Sequence, residues 1–220
     1  MNFKTITIIQ TVILGIFLLN IGVNAQGTII PLMKDGWVGG LSGSLGWDNY
    51  NINAGDENIV VDSEAKGFGF IISSRNGRFV EDNAVMGFDL QWEENHLTTL
   101  SQNNEKRLGF IGLWIRYYVP FVGWAAYSET SVGYGNYKSI EEKELYSGSS
   151  KHNAFADGFV YNVGLGATIF VSNNVAFEAT GRYQGGKLKG EYEYAYESFN
   201  NLEIKLSNLD ILFGIMVYLR

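Results

Sequence analysis

Charged residues occur at alternate positions in several segments of the sequence, among hydrophobic neighbours. Between Ala84 and Glu93, Asp89 and Glu93 share one face of an extended chain, while Phe88 and Leu90 share the other. Carboxylate and guanidinium groups on one face can line a polar conduit, form a gated pair or simply hold one another in ion pairs. We expect these residues to form ion pairs with one another, filling the interior of the structure that the segments build. The residues placed in this way are Asp89, Glu93, Arg116, Glu129, Glu178 and Arg182.

Two histidines are the remaining candidates for acid–base or nucleophilic chemistry. His96 and His152 fall in polar stretches, with Ser101 near the first and Ser149 and Ser150 near the second. Stretches rich in Ser and Asn supply such neighbours by chance, and no nucleophile motif surrounds them. The chain has no Cys, which excludes thiolate nucleophiles and disulfides. We therefore expect no catalytic residue and a protein that is not an enzyme.

Clusters of acidic residues are the candidates for cation binding. Carboxylate oxygens suit Ca²⁺, but none of these clusters has the spacing of a defined calcium loop, so we expect solvated surfaces instead. The sequence therefore predicts neither a metal site nor a cofactor. The clusters are Asp56 with Glu57, Glu141 with Glu142 and Glu144, and Glu191 with Glu193.

The segments that must position these residues alternate with a period of two, which predicts β-strands because a helix would mix the two faces. Segments 66–75, 108–118 and 124–137 alternate less clearly and are assigned as strands from where they fall. No segment after residue 25 shows a sustained helical period. The predicted strands are Trp37–Asp48, Lys66–Arg75, Ala84–Glu93, Leu108–Tyr118, Trp124–Tyr137, Gly158–Phe170, Val175–Gln184 and Leu209–Leu219.

The connections between these strands alternate in length, as they do in outer-membrane barrels with short periplasmic turns and long outer loops. This alternation predicts eight strands, with both chain ends on the periplasmic side. The short connections fall at Asn76–Asn83, Val119–Gly123 and Val171–Asn174, and the long polar ones at Asn49–Ala65, Asn95–Arg107, Lys138–Asp157 and Gly185–Lys205.

The N-terminus has the three parts of a secretory signal. Lys4 precedes an apolar stretch from Ile6 to Val23, and small residues up to Ala25 offer a cleavage site. A retained transmembrane helix is the alternative, because the stretch is about as long as the shortest spanning helices. Gln10 and Asn20 interrupt it and no basic cluster follows, which favours cleavage. We expect a signal peptide over 1–25, a short periplasmic lead-in over 26–36 and a barrel domain over 37–220.

The composition limits the classes of partner. With 220 residues the chain is long enough for one domain, and its 27 Gly and 15% aromatic residues suit a membrane barrel. The net charge of −7 argues against nucleic acid, whose phosphates need clustered Lys and Arg. No apolar run after the signal could form a spanning helix, so a membrane location would require strands.

Short motifs make the chain similar to a known family. The runs Phe79–Val85 and Phe170–Ala176 share an aromatic, Val, polar, Asp/Asn, Asn, apolar order, and Trp114-Ile115-Arg116-Tyr117-Tyr118 precedes a turn containing Pro. These motifs resemble the outer-membrane protein β-barrel domain family, which is similar to the small OmpA/OmpX-type barrels of Bacteroidetes-like bacteria. The resemblance implies an all-β fold, an eight-stranded antiparallel up-and-down transmembrane β-barrel. The similarity of the two runs to each other also predicts that both form the same kind of periplasmic turn.

Alternation alone does not say which face of the barrel points outward. A soluble lipocalin-type barrel has its apolar face inside and a charged exterior. Here the polar face is rich in Gly and Ser and lacks the Lys/Glu density of a solvated surface, so we expect lipid outside and a narrow, filled interior. The expected interfacial aromatic residues are Trp37, Trp47 and Trp92.

Three functions remain open at this point. The first is a structural or interaction scaffold in the bacterial outer membrane, monomeric, with acidic outer loops that contact an extracellular or envelope protein. The second is transport of a small apolar solute, and the third is a lipid or peptide hydrolase at the rim. Eight strands leave an interior just wide enough for side chains, which favours the scaffold.

Overall fold

The structure is a closed β-barrel. The computed structural model describes residues 32–54, 63–99, 102–145, 148–194 and 197–219, so the predicted signal peptide lies outside the described residues. Each strand pairs antiparallel with the next, and β1 pairs with β8 to close the ring, as predicted. No helix within these ranges is long and apolar enough to cross a membrane. The strands are β1 (Trp37–Ala54), β2 (Ser63–Glu81), β3 (Ala84–Thr99), β4 (Gln102–Phe121), β5 (Trp124–Leu145), β6 (Gly148–Phe170), β7 (Val175–Tyr194) and β8 (Glu197–Leu219).

The lower end of the barrel is defined by the links at 82–83, 122–123 and 171–174 together with the start of β1 and the end of β8. Asn83 has φ 67° and Gly123 has φ 79°, the left-handed conformation that Asn and Gly tolerate best in tight turns. The expectation that the two similar runs form the same kind of turn is wrong. One link has two residues and a left-handed Asn, whereas the link at 171–174 has four residues and no positive φ.

The upper end carries the opposite links, and here the predicted long loops are wrong. β5 and β6, for example, stay paired up to Leu145 and Gly148, deep inside the stretch expected to be a loop. The polar side chains suggested loops, but above the apolar belt a strand can carry polar residues outward and still pair its backbone. The stretches that turn out to be largely strand are Asn95–Arg107, Lys138–Asp157 and Gly185–Lys205, and Asn49–Ala65 is strand at both of its ends.

The two halves of the barrel have opposite polarity. In the lower half the outward side chains are apolar and exposed, as Leu165 and Phe213 illustrate, and inward side chains near mid-height are polar, such as Thr180. In the upper half the inward side chains of β6, β7 and β8 become apolar, as at Leu188 and Ile204, while the outward neighbours of these two residues are charged. The upper parts of β3 and β4 keep polar side chains inside, such as Asn95 and Lys106. The prediction of an outward apolar face is therefore right for the lower half only.

Three layers fill the interior from bottom to top. The lowest is an aromatic cluster at the turn end, which includes Phe79, Trp114, Tyr118, Tyr127 and Tyr218. Charged and amide side chains occupy the middle. The upper apolar cluster is contributed by β4 to β8: Leu108, Phe110, Tyr137, Ala154, Ala156, Val160, Leu188, Leu202, Ile204 and Leu206.

The chain just before β1 crosses the lower end of the barrel. Leu32 is buried in the aromatic cluster, and its carbonyl accepts a hydrogen bond from the Asn83 amide at 3.0 Å. The Asp35 amide donates to the Phe79 carbonyl at 2.9 Å. This part of the predicted lead-in therefore covers the lower opening and adds to the aromatic layer.

Candidate functional site in the barrel lumen

Three ion pairs follow directly from the strand register. Residues opposite one another on neighbouring antiparallel strands point to the same face, with their Cβ atoms about 5 Å apart. In three pairs of neighbouring strands, β2 with β3, β4 with β5 and β7 with β8, the register places an arginine opposite a carboxylate on the inner face. The pairs are Arg75 with Asp89, Arg116 with Glu129 and Arg182 with Asp210.

Arg116 is the centre of the network. Its Nη2 lies 2.7 Å from Glu129 Oε2, and its Nη1 lies 2.7 Å from Glu178 Oε2 and donates to the Tyr118 hydroxyl at 3.0 Å. The guanidinium carbon sits 3.9 Å from the centre of the Tyr127 ring, within cation–π range. The side chain is fully buried, so both carboxylates depend on it for compensation of their charge.

Arg75 joins this centre from the other side of the lumen. Its Nη1 lies 3.0 Å from Glu129 Oε1 and 3.7 Å from Glu178 Oε1. Its Nε lies 3.8 Å from Asp89, whose two oxygens accept hydrogen bonds from the Ser73 and Ser131 hydroxyls at 2.9 Å each. Two guanidinium groups and two glutamates therefore meet across the barrel, and a third carboxylate is held by hydroxyls.

Arg182 forms a separate arm of the network. Its Nη2 lies 2.7 Å from Asp210 Oδ2, and its Nη1 donates to Gln91 Oε1 at 2.5 Å. Above it, Gln184 is fully buried between Asn162 and Asn208 on the neighbouring strands, a row of amides that continues the polar layer. Chemically the layer is an ionic plug in which three arginines are paired with four carboxylates.

The structure places all six predicted lumenal residues on the inner face, and each is at most 7% exposed. Five of them belong to the network, while Glu93 lies higher on β3 and accepts a hydrogen bond from Asn95 at 3.3 Å. Sequence reasoning missed Arg75, Asp210 and Lys106. The first two share the parity of predicted inward residues, so the alternation itself could have identified them. Lys106 fell in a predicted loop.

Two of the three predicted interfacial tryptophans, Trp37 and Trp92, have exposed side chains. Trp37 is 56% exposed at the lower end with the Arg78 guanidinium 6.0 Å from its ring centre, and Trp92 is 46% exposed with Nε1 donating to Glu94 at 3.4 Å. Trp47 lies on β1 opposite Phe68, and its side chain lies outside the described part. Trp124 was missed; it stacks on Phe121 at 4.4 Å beside the lower link of β4 and β5.

The two histidines do not converge on one site. His96 points outward from β3, with Nε2 2.8 Å from Glu94, whereas Nδ1 of His152 lies 2.5 Å from the Tyr192 hydroxyl on the inner side of β6 and β7. Ser101 and the side chains of the two other candidate serines lie outside the described residues. Among the described residues, no group of three or more His, Asp or Glu side chains could hold a metal ion.

Comparison with solved structures places the fold. The chain is similar to a major outer-membrane protein of Thermus thermophilus, with a TM-score of 0.54 and 6% identity over 83% of this chain and 98% of that one. It is also similar to the outer-membrane protease OmpT of Escherichia coli, with a TM-score of 0.52 and 9% identity over 84% and 94% of the two chains. The chain has the fold of an outer-membrane β-barrel.

The same comparison gives a weaker likeness to Neisserial surface protein A, with a TM-score of 0.45 and 16% identity over 83% of this chain and 96% of that one. No protein-family model matches the sequence. No curated protein matches it either. The fold together with the lower apolar belt is that of a protein of the bacterial outer membrane, as the sequence predicts.

Proposed function

We propose that this outer-membrane barrel is a closed, non-enzymatic scaffold that carries a rigid β-rim beyond the membrane. The observation that supports it is the network in which Arg75 and Arg116 reach across the lumen to Glu129 and Glu178. An ion that followed the barrel axis would have to separate these buried charges, and breaking a buried pair costs about 3–5 kcal/mol. The aromatic layer below and the apolar cluster above add two further barriers.

Planar-bilayer recording tests the closed lumen. The purified full chain should show no reproducible conductance steps at neutral pH. A matched pair of variants sharpens the result: Arg116→Ala removes the centre of the network, and Arg78→Ala removes a surface arginine paired with Asp35 at 2.6 Å. Steps in the wild-type recording would overturn the proposal, whereas steps in Arg116→Ala alone would identify the network as the barrier.

The rim is the part of the scaffold that we propose contacts a partner protein. The upper parts of β4 to β8 are held together from inside by the apolar cluster, and Glu191 and Glu193 point outward near the end of β7. An acidic rim favours a basic partner surface. A polylysine-coated sensor is a probe of this chemistry, and the variant Glu191→Gln/Glu193→Gln should bind it more weakly than wild type. Equal binding of polylysine by wild type and the variant would show that these two carboxylates do not bind a basic partner.

Passage of a small apolar solute is a second candidate, because the upper interior is lined by apolar side chains. In this case cells that carry the barrel should take up a small apolar dye faster than cells that lack it. Leu206→Trp, which fills this region further, should slow the uptake. No difference between carrying and lacking cells would favour the scaffold.

A rim hydrolase is the remaining candidate, and one of the solved structures of this fold is a protease. Its test is hydrolysis of a generic peptide or lipid substrate by wild type and by His96→Ala and His152→Ala. The scaffold predicts no turnover in any of the three.

A further inference from the structure

The outward residues of three strands follow the same order from bottom to top. Each strand carries an apolar residue, then a small one, then a cation and finally a glutamate. On β7 this order is Tyr183, Gly185, Lys187 with Lys189, and Glu191; on β8 it is Leu209, Ser207, Lys205 and Glu203; on β4 it is Ile111, Gly109, Arg107 and Glu105.

The height of the cations follows from the apolar belt beneath them. On β8 the outward apolar residues run from Leu209 to Leu219, ten residues of rise. A tilted strand gains about 2.5 Å of height per residue, so this run spans about 25 Å, the thickness of the apolar band of an outer-membrane barrel. Lys205 lies four residues above Leu209, and a lysine side chain can extend back towards an interface. Its ammonium group is therefore at the level of lipid headgroups.

The cations of β7 and β8 form an outer lysine cluster, made of Lys187, Lys189 and Lys205. Lys187 and Lys205 are directly opposite each other in the register, an arrangement that normally destabilises a sheet. Among the described residues, Glu203 approaches both, with Oε1 3.8 Å from each ammonium nitrogen, at the far limit of an ion pair. Their side chains are 69% and 59% exposed. The pair is therefore open to a further anion.

Lys189 extends the same patch. It is exposed and lies opposite Glu203 on one side and Asp157 on the other. Asp157 accepts a hydrogen bond from the Tyr134 hydroxyl. At these register positions three lysines face two carboxylates, and Glu191 follows directly above Lys189. The lower part of the patch, around Lys187 and Lys205, is therefore locally positive in a chain whose net charge is −7.

An apolar platform lies beside and below the lysines, with Phe159 directly opposite Lys187 in the register. The rings of Phe159, Tyr161 and Tyr183 follow one another with centroids 6.3 Å apart. A Cβ added to Gly185 would meet the Tyr161 ring, so only glycine lets this ring lie flat across β7. Leu209 is 82% exposed beside it. The platform is continuous with the apolar belt, and it reaches the level of Lys187.

We propose that the outer lysine cluster is a binding site for the phosphate headgroup of an anionic lipid in the outer leaflet, with an acyl chain against the aromatic platform. Charge complementarity selects the phosphate, and the position at the top of the apolar belt selects a membrane lipid as its carrier. The site lies on the outer wall of the barrel, so it is independent of whether the lumen is closed.

Native mass spectrometry of the full chain in detergent tests this site, with phosphatidic acid and phosphatidylcholine of the same chain length as probes. Wild type should retain phosphatidic acid preferentially. Lys187→Gln/Lys205→Gln should weaken that retention by about tenfold or more, because each basic residue near a membrane surface contributes about a factor of five. Lys187→Arg/Lys205→Arg should keep it. Lys34→Gln, which removes one exposed lysine at the lower end, is the matched control and should bind as wild type does.

Three results would overturn the site. The first is equal retention of the two lipids by wild type, and the second is an unchanged preference in the double glutamine variant. The third is full displacement of phosphatidic acid by inorganic phosphate, which would indicate an anion site without a role for the acyl chain. The three side chains that are changed, Lys187, Lys205 and Lys34, are exposed, so folding is not at risk. Gel migration with and without boiling verifies the fold of each variant.

Discussion

The lower and upper halves of the barrel are built on the same eight strands but obey opposite rules. Below, apolar side chains point outward and ion pairs fill the interior. Above, charged side chains point outward from β7 and β8, and Leu188, Ile204 and their neighbours pack inside, beside polar side chains from β3 and β4. The backbone pairing of β7 with β8 continues past the point of inversion. The surrounding solvent, and not the fold, therefore decides which face of a strand is apolar: lipid requires it outside, and water requires it inside.

The largest expected effect comes from the interior of the lower half. Arg116→Met should destabilise the barrel by about 3–5 kcal/mol, because it leaves Glu129 and Glu178 buried with less compensation. Urea-induced unfolding in lipid vesicles measures the change in the free energy of unfolding. Arg78→Met, which breaks an exposed pair, should change the free energy of unfolding by about 1 kcal/mol or less. Similar losses in the two variants would show that the lower interior is not an ionic core.

The interior of the upper half should respond to loss of volume instead of charge. Leu188→Ala should destabilise by about 2–5 kcal/mol, since it opens a cavity in a packed apolar cluster. Its neighbour Lys189 points outward, and Lys189→Ala should stay within about 0.5 kcal/mol of wild type. The same unfolding experiment compares the two. If Leu188→Ala is as mild as Lys189→Ala, the upper interior around Leu188 is not a packed core.

The exterior provides a further contrast along a single strand. On β6, Leu165 faces outward near the middle of the lower belt and is 70% exposed, whereas Asn153 faces outward in the upper half. Leu165→Lys should cost about 2–4 kcal/mol, because it places a charge in hydrocarbon. Asn153→Lys should be close to neutral in water. The folded fraction in vesicles, read by gel migration before and after boiling, distinguishes them, and equal fractions would contradict a membrane around the lower half.

The smallest effect concerns the segment that covers the lower opening. The hydrogen bond and ion pair between Lys34 Nζ and Glu81, at 2.9 Å, raise the pKa of Lys34 above 10.5. A raised pKa means that this contact stabilises the fold at pH values below it and is lost as the pH rises through it. An NMR titration of the lysine side chains should show the shift in wild type. Glu81→Gln should lower the midpoint, and an unchanged midpoint would exclude the contact in solution.

The sequence predicted the barrel and its lower half because alternation in a lipid-facing strand is strong and continuous. In β3, Phe88, Leu90 and Trp92 oppose Asp89 and Glu93 without a break. The number of strands was also right, although it rested on long loops that are largely strand in the structure.

The upper half was predicted wrongly because the apolar residues of a strand move there from odd to even positions, or the reverse. In β8 the apolar residues step by two through Leu202, Ile204 and Leu206, then by three to Leu209. Such a step of three looks like the end of a strand, although it marks the height at which lipid around the barrel is replaced by water. The contacts from Arg75 to Glu129 and from Arg116 to Glu178 join strands that are not neighbours. Such contacts depend on the diameter of the barrel, and the pattern of residues within a single strand does not predict that diameter.

The inversion of polarity also bears on how fast the barrel can leave the membrane. The outward side of β7 carries Lys187, Lys189, Glu191 and Glu193 above the belt. Retreat towards the lower side would draw these charges through hydrocarbon, at about 2.5–3.5 kcal/mol for each. Every strand with a charged upper exterior adds its own share to that barrier. Once inserted, the barrel is therefore retained by the rate of extraction, whatever the equilibrium stability of its core.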